Sequence, residues 1–257
     1  MAGLLKGKVV LVNGGTQGVG AAVARTAVRE GAAVVVTGRR TAAGERFVDE
    51  LADSDVRFFQ ADLADVDAAR AAVTATVTLF GRIDCLCNAA GLSSRGTLLD
   101  TTPELFDQHI AVNLRAPFFA MQAAVKNMLD RKEPGSIVNI ISIAAHGGQP
   151  YLSSYSASKA GLAGLTRNAA YAHRWDRIRI NGINLGWTET EGETAIQQTF
   201  HGASVDWASE VARSQPMGKL VQVDEIAELV VFLLSDRSGV VTGSIIDWDQ
   251  IVIGGQE

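Results

Sequence analysis

Only 2 cysteines occur in 257 residues, and both fall in Ile83-Asp84-Cys85-Leu86-Cys87. Two residues apart on a strand, they project to one face, and a bridge between them would be strained. Without clustered histidines two thiols do not make a zinc site, so no metal is expected. Buried free thiols in a reducing cytoplasm are the expectation instead. No Lys/Arg-rich block is present and the net charge is −5, which argues against a nucleic-acid or anionic-membrane partner. No apolar run approaches the roughly 18 residues of a membrane span. The opening MAGLLKGKVVLVNGG has no charged leader followed by a cleavable apolar core, so no export signal is expected. With only 5 prolines, no Pro- or Ser-rich linker and no repeat, residues 1–257 read as a single domain.

What is abundant is apolar sequence, at 47%. KVVLVN (8–13), AAVVVTG (32–38), VRFFQ (56–60), RIDCLCN (82–88), GSIVNIIS (135–142), RIRINGINL (177–185) and GSIIDW (243–248) read as strands. Helical stretches alternate with them at 21–30, 41–52, 65–80, 103–108, about 110–131, 155–175 and 224–235. Strands apolar throughout, alternating with helices, predict an α/β fold: a doubly wound, Rossmann-type parallel sheet of about seven strands, with helices on both faces. Gly161 and Gly164 are expected to let the 155–175 helix pack closely on a neighbour. One irregular stretch, 187–221, is long enough to suggest a substrate lid.

Gly14-Gly15-Thr16-Gln17-Gly18-Val19-Gly20 joins the first strand to the first helix. Glycines there permit a tight turn, let backbone approach a pyrophosphate and let the helix sit close on the sheet. At the end of the second strand an acid would bind ribose hydroxyls, whereas arginine favours a 2′-phosphate. This chain has Gly38-Arg39-Arg40, so NADP(H) is expected ahead of NAD(H), although both arginines could be ordinary surface charges.

Tyr155 and Lys159 lie four apart in YSASK, in a chain with 3 tyrosines. On a helix such a pair shares a face, and the ammonium would lower the phenol pKa toward working pH, as an acid/base requires. An idle surface pair is the alternative.

With Gly14, Gly18, Gly20, Asn88, Asn113, Ser142, Tyr155 and Lys159 in order, the chain resembles the short-chain dehydrogenase/reductase family over essentially its whole length. The family's T-G-x3-G-x-G appears as Asn13 to Gly20, its N-N-A-G as Asn88-Ala89-Ala90-Gly91, and its Y-x3-K as Tyr155 to Lys159. The resemblance implies an NAD(P)-dependent oxidoreductase interconverting a secondary alcohol and a ketone. It implies Tyr155 as general acid/base and Lys159 as its cation and a ribose ligand. Ser142 would bond the reacting oxygen, and Asn113 would hold a water linking Lys159 to solvent. Taken singly, Ser142 could be a helix cap, Asn113 a helix kink and Lys159 a surface residue. The cofactor contacts implied are Thr16, Gln17, Val19 and the three glycines, Arg39 and Arg40, Asp62 with Leu63, and Asn88 to Gly91. Gly186, Trp187, Thr188 and Thr190 complete them. A homotetramer or dimer built on the 110–131 and 155–175 helices is implied as well.

The chain departs from the family in three places. Asn13 replaces Thr, keeping a polar side chain. Leu185-Gly186 replaces Pro-Gly, loosening φ near the nicotinamide, and Asp247-Trp248-Asp249 replaces the terminal Asp-Gly-Gly, bringing a bulky ring to the pocket rim or a subunit contact. Gln17 stands where many NADP-preferring relatives carry a basic residue. Trp187, Ile196, Phe200 and Trp207 are expected to form apolar substrate walls, with His146, Gln149 and His201 as polar contacts or plain surface residues. Glu189, Glu191 and Glu193 read as a solvated lid edge. Two other functions stay open. One is 3-ketoacyl-acyl-carrier-protein reduction, whose enzymes usually carry an Arg where this chain has Tyr171. The other is a cofactor-sensing protein without turnover.

Overall fold

Runs of valine and isoleucine without polar alternation form strands that must be covered on both faces. The computed structural model describes residues 3–253 and contains seven such strands in one sheet. These are β1 (Val9–Asn13), β2 (Ala33–Gly38), β3 (Val56–Gln60), β4 (Cys85–Asn88), β5 (Gly135–Ile140), β6 (Ile178–Leu185) and β7 (Ile245–Trp248). They pair in parallel in the order β3-β2-β1-β4-β5-β6-β7. The order reverses between β1 and β4, and a crevice opens there at the carboxyl ends of the strands, where ligands of such sheets bind.

Alternate residues of each strand feed opposite cores. Val10, Val12, Cys85, Cys87 and Val138 face α1 (Gly18–Arg29) and α9 (Val223–Leu234). Leu11, Val35, Leu86, Ile137 and Ile180 face α3 (Val66–Phe80), α5 (Ala116–Arg131) and α6 (Ser153–His173). Cys85 and Cys87 are therefore on one face, buried and unbridged, and burial pushes each thiol up to about 12. Between β2 and β3 lies α2 (Thr41–Asp49), and between β4 and α5 lie α4 (Pro103–Ile110) and a π-helical turn, Ala111–Arg115.

Residues 187–221 are not one irregular stretch. They contain α7 (Glu191–His201) and α8 (Trp207–Ala212). Thr190 caps α7 by accepting a hydrogen bond from the Glu193 N–H at 3.0 Å, and Gly202 ends it in the left-handed conformation. Those two signals mark a helix; its mixed polarity conceals it. Nor is the Leu185-Gly186 backbone loose, because Leu185 pairs with Trp248 and the Gly186 N–H donates to the Trp248 carbonyl at 3.0 Å. Trp248 itself packs on the core against α1 and α9. Gly161 lies against Leu114, whereas no described residue comes within 4 Å of where a Cβ on Gly164 would be.

Three asparagines end three adjacent strands in register, Asn13 beside Asn88 and Asn88 beside Asn139. Asn13 Nδ2 donates to Asn88 Oδ1 at 3.0 Å, Asn88 Nδ2 to Asn139 Oδ1 at 2.8 Å, and Asn139 Nδ2 to Thr166 Oγ1 of α6 at 2.9 Å. Thr37 Oγ1 donates to Asn13 Oδ1 and accepts from the Gly14 N–H, so the chain of bonds reaches the glycine turn. Each of these groups is buried, and losing one partner strands others without water. Asn88→Ala should lower unfolding free energy by about 2 kcal/mol or more, because it orphans a donor on Asn13 and an acceptor on Asn139. Urea titration beside Ser136→Ala, which removes one hydroxyl bond to the Leu233 carbonyl, checks this; equal losses would contradict the cooperative ladder.

Candidate active site

The glycine turn opens the crevice. Gly14 has φ +76°, and a Cβ there would lie 2.7 Å from the backbone of Ala90. A Cβ on Gly20 would run into the Gly14 carbonyl oxygen, so α1 could not otherwise sit so near the turn. No side chain caps α1 and its first turn has no acid, which leaves its N–H groups and positive dipole end for an anion. Val19 packs on the core and Thr16 lies over Gly38. Arg39 and Arg40 are exposed; Arg40 donates to Gln17 Oε1 at 2.6 Å. Gln17 thus adds no charge of its own but draws Arg40 across the turn. Asp62 is exposed at the end of β3, with Oδ1 accepting from the Ala64 N–H at 3.0 Å, whereas Leu63 is buried among Ala61, Ala69 and Ala116. Together the bare helix end, the close-packed glycines and the exposed arginines fit an extended dinucleotide.

On the other side of the crevice the asparagine ladder consumes the Asn88 side chain, so Asn88 can meet a ligand only through its backbone. Gly91 lies close to Lys159 Nζ and Asn113 Oδ1, at 3.6 and 3.8 Å from where its Cβ would be. Asn113 sits inside the π turn, fully buried. Its Oδ1 accepts from the Leu92 N–H at 2.8 Å, and its Nδ2 donates to the Leu92 carbonyl at 2.9 Å and to Ser158 Oγ at 3.0 Å. Ser158 Oγ donates in turn to the Tyr155 carbonyl at 2.6 Å. The Asn113 side chain therefore splints the β4 loop to α6, and a water held by this residue could meet only its carbonyl. Asn113 thus lies in the π turn between α4 and α5, and its Oδ1 and Lys159 Nζ both flank Gly91. Ser142 likewise caps a short 3-10 turn, Oγ accepting from Ala144 N at 3.2 Å, and its hydroxyl is near enough to Tyr155 to favour the ionised phenol.

Tyr155 and Lys159 share a face of α6, with Nζ 5.8 Å from the ring centroid. The ionisation differs from the sequence expectation. Burial raises the Tyr155 phenol; the hydrogen bond with Ser142 lowers it, Glu193 raises it and Arg95 lowers it. Lys159 is 3% exposed, donates to the Ile140 carbonyl at 2.9 Å, and is brought down to about 8 by burial. Desolvation outweighs attraction because both groups left water together.

Sequence reading missed several neighbours. His109 of α4 is fully buried, with Nδ1 2.8 Å from Ser154 Oγ and its ring edge-on to Tyr155 at 6.0 Å. Arg95 reaches Glu193 at 3.3 Å. Glu193 is thus an ion-paired, 16% exposed group rather than part of a solvated edge. His146 bonds Asp247 and Asn184 at 3.0 and 2.9 Å, at the ends of β6 and β7. His201 bonds Arg95 at 3.2 Å. Thr188 is buried and donates to the Gly186 carbonyl, Trp187 Nε1 donates to Glu193, and the Thr190 methyl lies 3.4 Å from where a Cβ on Gly18 would be. The 186–190 strip therefore faces the glycine turn.

A parallel sheet with a dinucleotide crevice beside a Ser-Tyr-Lys cluster defines an oxidoreductase that uses a nicotinamide cofactor. The chain belongs to the short-chain dehydrogenase/reductase family. A family model described as enoyl-(acyl carrier protein) reductase matches residues 14–250. The NADP-dependent (R)-specific alcohol dehydrogenase of Lentilactobacillus kefiri is 33% identical over 95% of this chain and 96% of its own length. The 3-alpha-(or 20-beta)-hydroxysteroid dehydrogenase of Mycobacterium bovis is 34% identical over 95% of this chain and 88% of its own. A crystal structure of a provisionally assigned short-chain alcohol dehydrogenase from Sinorhizobium meliloti 1021 superposes with a TM-score of 0.87 at 31% identity, covering 96% of both chains. Among the described residues no helix is long and apolar enough to cross a membrane.

The lowered Lys159 has a measurable sign. A cation at about 8 when folded and near 10.5 when unfolded opposes folding below pH 8, and that opposition fades as pH rises from 8 to 10.5. Lys159→Met should accordingly be more stable than the parent at pH 7, by up to about 3 kcal/mol, with the advantage shrinking toward pH 10. Denaturation of both chains across this range tests it, and a pH-independent difference would contradict a desolvated ammonium.

Proposed function

We propose that the chain interconverts a secondary alcohol and its ketone, with Tyr155 as the group that gives and takes the proton. The observation that carries the reading is the convergence of Ser142, Tyr155 and Lys159 beside the glycine turn. A bound nicotinamide supplies or accepts the hydride. In reduction, Tyr155 Oη donates its proton to the carbonyl oxygen as charge develops there, and Ser142 Oγ hydrogen-bonds the same oxygen. Lys159, brought down to about 8 by burial, can return a proton to the tyrosine at neutral pH and would hold the ribose hydroxyls of a bound cofactor. Asn113 holds the β4 loop and α6 in register. Residues 187–221 act as the lid, with Trp187, Ile196, Phe200 and Trp207 on its apolar side. A homotetramer or dimer built on α5 and α6, where Phe118 is 43% exposed and no described residue comes within 4 Å of where a Cβ on Gly164 would be, and a cytoplasmic setting for the two free thiols belong to the same reading.

The matching family model's description favours a second reading, reduction of a carrier-protein-bound acyl chain. Tyr171 is 69% exposed with Arg174 stacked over it at 3.7 Å, so a cation does stand near the position where such enzymes carry arginine. An acidic carrier protein that accelerates turnover would favour this reading over a free ketone. A sensor without turnover has no need for the complete Ser-Tyr-Lys set.

Tyr155→Phe should cut kcat by about 100-fold or more and leave cofactor affinity nearly unchanged, since only the proton-carrying hydroxyl is lost. Ketone and alcohol assays at 340 nm with both cofactors measure it; a variant keeping more than a few per cent of kcat removes Tyr155 from this role. NADP(H) is the preferred cofactor in this reading, because Gly38 offers no carboxylate and the exposed Arg39 side chain has no partner among the described residues. Arg40, tethered to Gln17, is secondary. Arg39→Ala should weaken NADPH binding about ten- to a hundredfold and hardly touch NADH. Fluorescence titration of both cofactors decides the matter, and tighter NADH binding by the parent chain would refute it.

A further inference from the structure

Arg95 and Glu193 come from opposite walls of the cleft above Tyr155. Arg95 precedes Gly96, whose N–H and carbonyl bond the Tyr151 carbonyl and Ser153 N–H, at 2.9 and 3.1 Å, where α6 begins. Glu193 belongs to the first turn of α7 on the lid. Their side chains are only 11% and 16% exposed, and they meet at 3.3 Å. Each nitrogen of the guanidinium makes one bond: besides Nη2 to Glu193, Nη1 donates to the Ser93 carbonyl at 2.9 Å and Nε to His201 at 3.2 Å, and the plane lies over Tyr151 at 5.5 Å. On the carboxylate the contacts converge on one oxygen, since the same Oε1 also accepts from Trp187 Nε1 at 3.1 Å and Gln197 Nε2 at 2.7 Å. Both charges act on the Tyr155 phenol, in opposite directions, which puts the pair within electrostatic reach of the reacting oxygen.

We propose that the Arg95–Glu193 pair determines substrate charge: mutually neutralised across the cleft, it admits uncharged ketones and alcohols and rejects carboxylates, and Glu193 is the rejecting group. This rests on the alcohol/ketone reading above. An anionic substrate would have to compete with Glu193 for a guanidinium already bonded to Ser93 and His201, leaving a carboxylate only 16% exposed without its cation. An uncharged chain against Trp187 and Tyr151 asks for no such displacement. With Glu193 replaced by an amide of the same shape, the guanidinium's charge is no longer neutralised and its N–H groups can donate to the substrate's own carboxylate.

The probes are 4-oxopentanoate and its methyl ester, identical at the ketone and different in charge. The parent chain with NADPH should favour the ester by about tenfold or more in kcat/KM, and Glu193→Gln should shift the ratio toward the acid by a similar factor. Glu193→Gln combined with Arg95→Met should lose that gain, because the accepting guanidinium is gone. Should Glu193→Gln fail to fold, Arg95→Met alone provides the opposite test: with Glu193 bare, discrimination against the acid must grow. The same probes are titrated against the tryptophan fluorescence of the cofactor-loaded chain, since Trp187 and Trp207 lie 6.0 Å apart over the cleft. Absence of turnover with a charge-selective, Glu193-dependent binding ratio would defeat the alcohol/ketone reading and leave the pair's role standing. A ratio unmoved by Glu193→Gln, an acid preference in the parent, or binding of neither probe to any variant would overturn the proposal.

Discussion

The hydrogen-bonded ladder Asn13–Asn88–Asn139 is what lets an apolar parallel sheet end in a polar site. Parallel strands buried on both faces have nowhere to place a polar side chain unless its partner lies on the neighbouring strand at the same level. Here the three residues share that level. Through Thr37 the ladder reaches the glycine turn, and through Thr166 it reaches α6. The two walls of the cofactor crevice and the helix that carries Tyr155 are thereby referred to one row of amides.

Above that row the chemistry is arranged by removal of water. Lys159 is buried against the Ile140 carbonyl, and Tyr155 is buried beside it. Desolvation moves their proton affinities in opposite directions, the Tyr155 phenol upward and the Lys159 ammonium down to about 8. Asn113 makes the arrangement rigid through Leu92 and Ser158. The lid follows the same logic, since Arg95 and Glu193 are half-buried only because each has the other. The protein therefore carries several polar side chains in dry surroundings with few unmatched partners, among them His109 Nε2 and Asp249 Oδ2.

Much of this was legible in the residues. Strand and helix positions followed from apolar runs and their punctuation, with boundaries displaced by a few residues where polar ends frayed the pattern. The glycine turn, Ser142, Tyr155 and Lys159 were recognisable because each needs its residue type at its spacing. What escaped was long-range. Arg95 lies in a loop with no motif of its own, and nothing local pairs it with a glutamate 98 positions on. Glu193 read as solvated because its sequence neighbours are acidic. The helix α7 was hidden by mixed polarity, although its cap at Thr190 and its Gly202 terminus were visible.

By itself the sequence determined the class of fold, the glycine turn and the Tyr155–Lys159 pair on one helix face, because periodicity, glycine placement and an i,i+4 spacing are local properties. Only the tertiary structure decided how those groups ionise, which arginine the glycine turn engages and what opposes Arg95. Desolvation and ion pairing depend on what other segments of the chain bring within a few ångströms, and no local stretch of sequence encodes that distance.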